Sequence, residues 1–360
     1  MLNGALPAFD PQGGGALILA RAIADAAMLQ LFGAALSRVV YSGPNLPPVL
    51  EQRLAWLARG AASLAVVSLG VWLWFQTALF EDAVPDSGSL LTVAFGTWFG
   101  QILVAQAMFV VLAVMALGGG RLAWHWKLAA VLAAVALGAE ALHGHAWAMH
   151  ATTGSNWLVT SAVIHLLAAG GWLGGLLPLL ILLTDRTRWR PVLTAFSKLG
   201  YGCVAALALT AGTQAWVLVG GLPGLFGTSY GLVALLKLSG FAVLIGIACL
   251  NRWRLGPRGS ASLRWVIGVE ATLGLGVIGA ASLLSALPPS IHTQPVWPFD
   301  WQPKFATLRE ALEYRPEVFV ALGAMIVVLT LLVAAVVFRR RRLQFLAARE
   351  PARGPFVRPL

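Results

Sequence analysis

An all-helical, polytopic membrane bundle of about nine spans is the fold this sequence predicts, and three observations carry the prediction. Hydrophobic residues fill 59% of the 360 positions and charged residues only 11%, with a mean hydropathy of +0.80, far from the balance of a water-soluble domain. The apolar residues come in runs of about twenty, the length a helix needs to cross roughly 30 Å of hydrocarbon. Short separators bearing Gly, Pro, Asn or charge divide the runs, as connecting loops do. The net charge of +11 would suit nucleic acid only if it were clustered on a solvated face; here the basic residues punctuate apolar runs, which excludes that partner and leaves the lipid bilayer.

Taken in order, the expected spans are 15–40, 54–80, 91–117, 124–143, 156–183, 199–222, 230–251, 263–286 and 317–338. They form a single membrane domain over 1–345, followed by a short basic tail at 346–360, with no soluble domain and no strong internal repeat. The amino terminus "MLNGALPAFDPQGGG" has neither the basic nor the apolar region of a cleavable signal. In segment one, Arg21 and Asp25 stand four residues apart and are expected to pair on one face. Segment five carries Gly170 with Gly174 and Gly171 with Gly175, overlapping small-residue pairs that let another helix backbone approach closely. Trp172 lies seven residues from His165 on the same face and is placed to wall off a site there.

Orientation follows from lysine and arginine, which are retained on the cytoplasmic side. The loops after segments one, three, five and seven, together with the tail, hold 20 of the 25 basic residues, "DRTRWR" and the run at 339–342 among them. The opposite loops hold only Lys304, Arg309 and Arg315 beside eight acidic residues. The amino terminus is therefore expected outside and the carboxyl terminus in the cytoplasm.

That topology gathers "EALHGHAWAMHATTG", Glu140 to Gly154, at the outer face, with His292 just beyond segment eight. His143, His145, His150 and His292 with Met149 offer imidazole and thioether, donors that copper(I) above all takes in preference to hard oxygen. Glu140, three residues before His143, shares its face and is placed to orient or supplement those ligands. On an unbroken helix His143 and His145 point about 200° apart, so a shared ion requires the helix to stop near Gly144. Glycine suits the left-handed turn that would do so and release His145 and His150 into a mobile loop. His165 lies roughly 15 Å below the outer end of its span, and an ionisable side chain at that depth is a functional candidate. Lys237 sits about 10 Å deep, able to snorkel upward, while Glu270 is nearer the cytoplasm and faces inward. Cys203 and Cys249, near the cytoplasmic ends of their spans, are too few for a disulfide framework and form a candidate soft exit site for copper(I).

"GHA" at 144–146, "HLLAAGGWLGGLLPL" at 165–179, "FSKLGYGCVAALALTAGTQAW" at 196–216, "GTSYGLVALLKLSGFAVLIGIACLNRWRL" at 227–255 and the Glu270 helix ending in "LPPSIH" together resemble the copper resistance protein D family of bacterial inner-membrane proteins. The likeness is closest over about 140–292, and "RAIADAA" and "GTWFG" extend it in general pattern to the earlier spans. The resemblance implies a role in moving or handling copper, often beside a small periplasmic copper-binding protein. It implies His145 and His165 as recurring histidines, Lys237 and Asn251 as polar positions of segment seven, and Glu270 and His292 as the signature of segment eight. Where many members carry an arginine along segment three, this chain has Gln106.

The leading expectation is a copper permease that captures the ion outside and passes it to His165. It is expected to move cargo rather than catalyse a reaction, and no phosphate-binding loop of the G-x-x-x-x-G-K-[ST] kind is present to bind nucleotide. A haem-binding electron carrier is the alternative of a different class; it needs two histidines at matching depth on facing helices. A copper-binding scaffold or sensor would use the same outer ligands without transport.

Overall fold

The computed structural model describes residues 11–296 apart from 12, 44, 119–122, 155, 186 and 251–259. The expected ninth span at 317–338 and the tail at 346–360 lie outside the described residues. The described residues belong to one compact unit, Met1–Gln302, and among them eight helices are long and apolar enough to cross a membrane. Helix is the structure that lipid demands, since every backbone N–H and C=O in hydrocarbon must find its partner within the chain.

The order is α1 (Gly14–Val40), α2 (Pro48–Glu81), α3 (Ser87–Gly96), α4 (Trp98–Gly118), α5 (Ala123–Ala139), a 3-10 turn at Glu140–Leu142, α6 (His145–Thr153), α7 (Trp157–Leu182), α8 (Trp189–Leu218), α9 (Leu222–Gly227), α10 (Ser229–Leu250), α11 (Ser260–Ser285) and a second 3-10 turn at Ser290–His292. Segment three, expected as one run, is thus two helices. Thr97 interrupts it in an extended conformation, φ −112° and ψ 150°, and its hydroxyl accepts from the Gly100 N–H at 3.0 Å, capping α4. Segment four stops early, at Ala139, and tightens into the 3-10 turn.

Helix α1 is the hub of the bundle. It packs against α2 and α5 and, across the molecule, against α7 and α11. Its crossing with α7 is backbone on backbone, because a methyl group on Gly33 would strike the Gly174 carbonyl and one on Gly174 the Leu29 carbonyl. Pro178, inside α7, has no N–H to give to the carbonyl four residues back. That carbonyl belongs to Gly174, and Gln30 Nε2 of α1 donates to it at 3.1 Å. Tyr41 adds a hydrogen bond from its hydroxyl to the Gly175 carbonyl at 3.0 Å. The small residues admit the neighbouring helix and the proline supplies the acceptor that ties it down. At the opposite end of the bundle from the two 3-10 turns, Glu51 Oε1 joins α1, α2 and α5 by accepting from Arg38 Nε and Trp126 Nε1, both at 3.2 Å.

Gly174→Leu should lower the unfolding midpoint in detergent, by an amount corresponding to about 1–3 kcal/mol or more for forced overpacking. Gly276→Leu, at a position where a side chain meets nothing, should leave it unchanged. A calorimetric or fluorescence melt of the two variants side by side checks this; equal midpoints would show that the glycine crossing does not hold the bundle.

Candidate functional site

The polar groups inside the bundle form two clusters joined by α1. In the first, Arg21 Nη2 of α1 donates to Glu140 Oε1 at 2.8 Å, and the guanidinium lies 4.9 Å from the centre of the Trp72 ring. Glu140 Oε2 also accepts from Gln106 Nε2 at 3.3 Å, and the same amide donates to the Ala136 carbonyl at 3.2 Å. Arg21 therefore does not pair with Asp25, as their spacing suggested. A carboxylate on another helix, flanked by an aromatic face, outcompetes the neighbour one turn away. Asp25 turns instead to Ser282 of α11, whose hydroxyl donates to Oδ2 at 3.0 Å. Lys237 of α10 faces Asp25 and His165 at electrostatic range.

His143 belongs to this first cluster rather than to a metal site. Its Nδ1 lies 3.2 Å from Glu140 Oε2 and its Nε2 3.2 Å from the Phe99 carbonyl. Both ring nitrogens face oxygen acceptors, so neither is free to bind an ion. The ring packs against Trp72 and Phe99 at 5.1 and 5.2 Å between centres.

Gly144 does end the helix, although its backbone is extended, φ −96° and ψ −177°, and not left-handed. The chain then continues as helix α6, not as the mobile loop expected for His145 and His150. The turn sends successive histidines apart. His150 stacks on Trp147, rings 4.8 Å apart and tilted 34°, and Trp147 in turn stacks on Trp98. The quartet of His143, His145, Met149 and His150 does not close on one ion, and among the described residues no group of three or more His, Cys, Asp or Glu side chains is placed to hold a metal.

His145 and Met149, one turn apart on α6, share a face. Their helix packs into a small apolar cluster with Tyr230 and Leu287, where Ala146 is buried and Met149 half-buried. The His145 ring stands edge-on to Tyr230 at 5.8 Å, beside the carbonyls of Leu284 and Leu287 and near His292. Burial holds the imidazole below its ordinary range, which keeps it neutral at neutral pH, the form that binds metal. Its Nε2 is buried without a hydrogen-bond partner.

His165 is placed on α7 with Nδ1 2.9 Å from Thr210 Oγ1 of α8. The threonine hydroxyl already donates to the Ala206 carbonyl at 2.6 Å, so it accepts from Nδ1–H and leaves the lone pair on Nε2. Trp172 is buried and edge-on to Phe241 of α10 at 5.9 Å, where it fills the core between α7 and α10. Glu270 is buried on α11. Cys203 is buried against Gly171 of α7, whereas Cys249 is exposed on α10. Sequence reasoning missed Ser282, Thr210 and Tyr230 as partners, because hydroxyl-bearing residues in apolar runs give no periodic signal of the groups they face.

Two family models match the chain: copper resistance protein D-like, N-terminal domain, over residues 12–157, and copper resistance protein D over residues 190–284. His143, His145, Met149 and His150 fall in the first range, Lys237 and Glu270 in the second, and His165 and Trp172 between them. The chain is 27% identical to the inner membrane protein YebZ of Escherichia coli strain K12 over 292 residues, 76% of this chain and 98% of that protein. It is 25% identical to copper resistance protein D of Pseudomonas syringae pv. tomato over 258 residues, 64% of this chain and 81% of that protein. No solved structure matches it.

Removing one partner of a buried ion pair strands the other, at about 3–5 kcal/mol, whereas replacing both by apolar residues is often neutral. Glu140→Leu and Arg21→Met should each lower stability by about that amount, and the double variant Arg21→Met/Glu140→Leu should recover most of it. Chemical unfolding in detergent reads the cycle; additive losses would mean the two side chains act independently.

Proposed function

The chain belongs to the copper resistance protein D family of multi-pass inner-membrane proteins, and from that premise we propose that it captures copper(I) at its periplasmic end on His145, Met149 and His292 and passes it toward His165. The observation that carries the reading is the buried Nε2 of His145, a neutral imidazole nitrogen left without a partner beside a thioether on its own helical face. Two imidazoles and a thioether are the donor set that selects copper(I) over hard cations. The end of the bundle bearing α6, α9 and the second 3-10 turn is the periplasmic one in this reading, in keeping with the distribution of basic residues along the sequence. A small periplasmic copper-binding protein would deliver the ion to that face.

From there the next soft nitrogen is Nε2 of His165, whose tautomer Thr210 sets. The ion-paired cluster of Arg21 and Glu140 takes no part in ligation; it fixes the break at Gly144 and thereby the placement of α6. The permease reading differs from a non-transporting scaffold only beyond His145, so binding and uptake must be measured on one preparation.

Titration of the purified chain with copper(I) buffered by a chromophoric chelator should show His145→Ala, His292→Ala and Met149→Leu weakening binding by more than about tenfold, at least what loss of a residue supporting a ligand produces. His143→Ala and His150→Ala should not. In proteoliposomes His165→Ala should stop uptake while leaving binding intact. Uptake unaffected by His165→Ala would remove it from the path, and binding that survives His145→Ala would end the proposal.

A further inference from the structure

The two breaks in the helical order are the same object. "FGTWFG" at 95–100 and "FGTSYG" at 226–231 each join a short helix to a long span. Thr97 and Thr228 are both extended, φ −112° and ψ 150° against φ −130° and ψ 152°. Each hydroxyl accepts from the N–H three residues on, at 3.0 Å in both. Each donates to the carbonyl four residues back, Val93 at 2.7 Å and Gly224 at 2.6 Å. At Gly100 and at Gly231 a methyl group would strike the carbonyl seven residues back, of Val93 and of Gly224.

The likeness extends to whole halves. Helices α1, α2, α3, α4 and α5 are followed by a 3-10 turn, and so are α7, α8, α9, α10 and α11. Helix α1 packs on the second and fourth spans of the bundle and, across the molecule, on α7 and α11; α7 packs on α8 and α11 and, across the molecule, on α1 and α5. Such reciprocal contacts are the mark of a two-fold relation. An even number of spans per half sets its axis along the membrane normal.

The twin breaks differ in the groups that fill them. In the first half the Phe99 carbonyl takes His143, and the space beside it holds the Arg21 guanidinium against Trp72 and Glu140. In the second half Tyr230 stands where Phe99 does and faces His145. The Thr228 hydroxyl meets Ser290 Oγ at 2.7 Å, anchoring the turn that carries His292. Among the described residues no guanidinium pairs with this second histidine, and its Nε2 is buried without a partner, as are Nδ1 of His150 and, in the first cluster, Nε of Arg21 and Oε1 of Gln106.

We infer that the chain is a tandem duplication of one four-span unit whose two helix breaks are paired cation-binding mouths, the first plugged by the chain's own Arg21 and the second, framed by Tyr230, His145 and the Ser290–His292 turn, kept for a soft metal cation. The assignment of that cation as copper(I) rests on the proposed function; the duplication does not.

Thr97→Val and Thr228→Val test both halves in the full-length protein. Each removes the same cap, so each should lower the unfolding midpoint, Thr228→Val by more because it also loses the contact with Ser290. Only Thr228→Val should weaken copper(I) binding, by more than about tenfold as for a lost supporting residue, and Thr228→Ser, which keeps the hydroxyl, should restore it. A midpoint left unchanged by either valine variant would overturn the shared cap on which the duplication rests. Binding weakened in both valine variants, or in neither, would overturn the assignment of one plugged and one working mouth. A wild-type chain that binds no copper(I) would strike the proposed function, while midpoints lowered in both valine variants would still support the duplication.

Discussion

A guanidinium and a carboxylate 2.8 Å apart among membrane-spanning helices constrain everything around them. Neither charge is tolerable alone in hydrocarbon, so wherever Arg21 sits on α1, Glu140 must meet it. That requirement fixes the end of α5 against α1 and brings the Gln106 amide to Glu140 and the Trp72 ring to Arg21. It also holds His143 inward through the second carboxylate oxygen. Gly144 is the residue at which the chain leaves this polar knot, and α6 begins with His145 on the far side of it. The placement of the metal-capable face of α6 is thus a consequence of an ion pair that takes no part in binding metal.

The spans were legible in the sequence because a bilayer imposes a length, and apolar length is written in composition. The glycine pairs of segment five were legible for a similar reason, since small residues four apart leave a groove whatever fills it. Which helix fills it was not written there: the partner is α1, and the reason becomes visible only once Pro178 is seen to orphan the Gly174 carbonyl and Gln30 to satisfy it. The break before α4 was not legible because hydropathy runs unbroken through it, whereas the break before α10 coincides with the expected start of segment seven at 230 and only the short helix α9 ahead of it went unseen. Their signal lay in a polar hydroxyl between two glycines, twice, at a spacing too short to register as a repeat.

The site was half legible. Residue type identified the outer histidines as candidates, but spacing alone could not divide them. His143 and His145 are two residues apart, and a single extended glycine between them sends one ring to Glu140 and Phe99 and the other to Tyr230. Arg21 misled in the opposite way: four residues from Asp25 on one helix is the favourable spacing for a pair, yet local spacing is a weak preference of a few tenths of a kcal/mol and a buried tertiary carboxylate beside an aromatic face outweighs it. Helical geometry within one segment can say which groups are near; only the neighbouring helices say which is nearest.

Duplication gives this asymmetry a physical sense. Two identical mouths in one bundle would compete for the same ion and leave a bare cavity in the half that lost. Occupying one of them with a tethered cation removes the competition and turns that half into a scaffold, because a guanidinium held by Glu140 and Trp72 stabilises the cavity continuously, without waiting for a ligand. The other half is then free to keep a histidine nitrogen unsatisfied, a local instability that the rest of the bundle must offset. The plugged mouth and the glycine crossing of α1 on α7 supply that offset, since both bind α1, and through α1 they hold the half that faces the unsatisfied nitrogen.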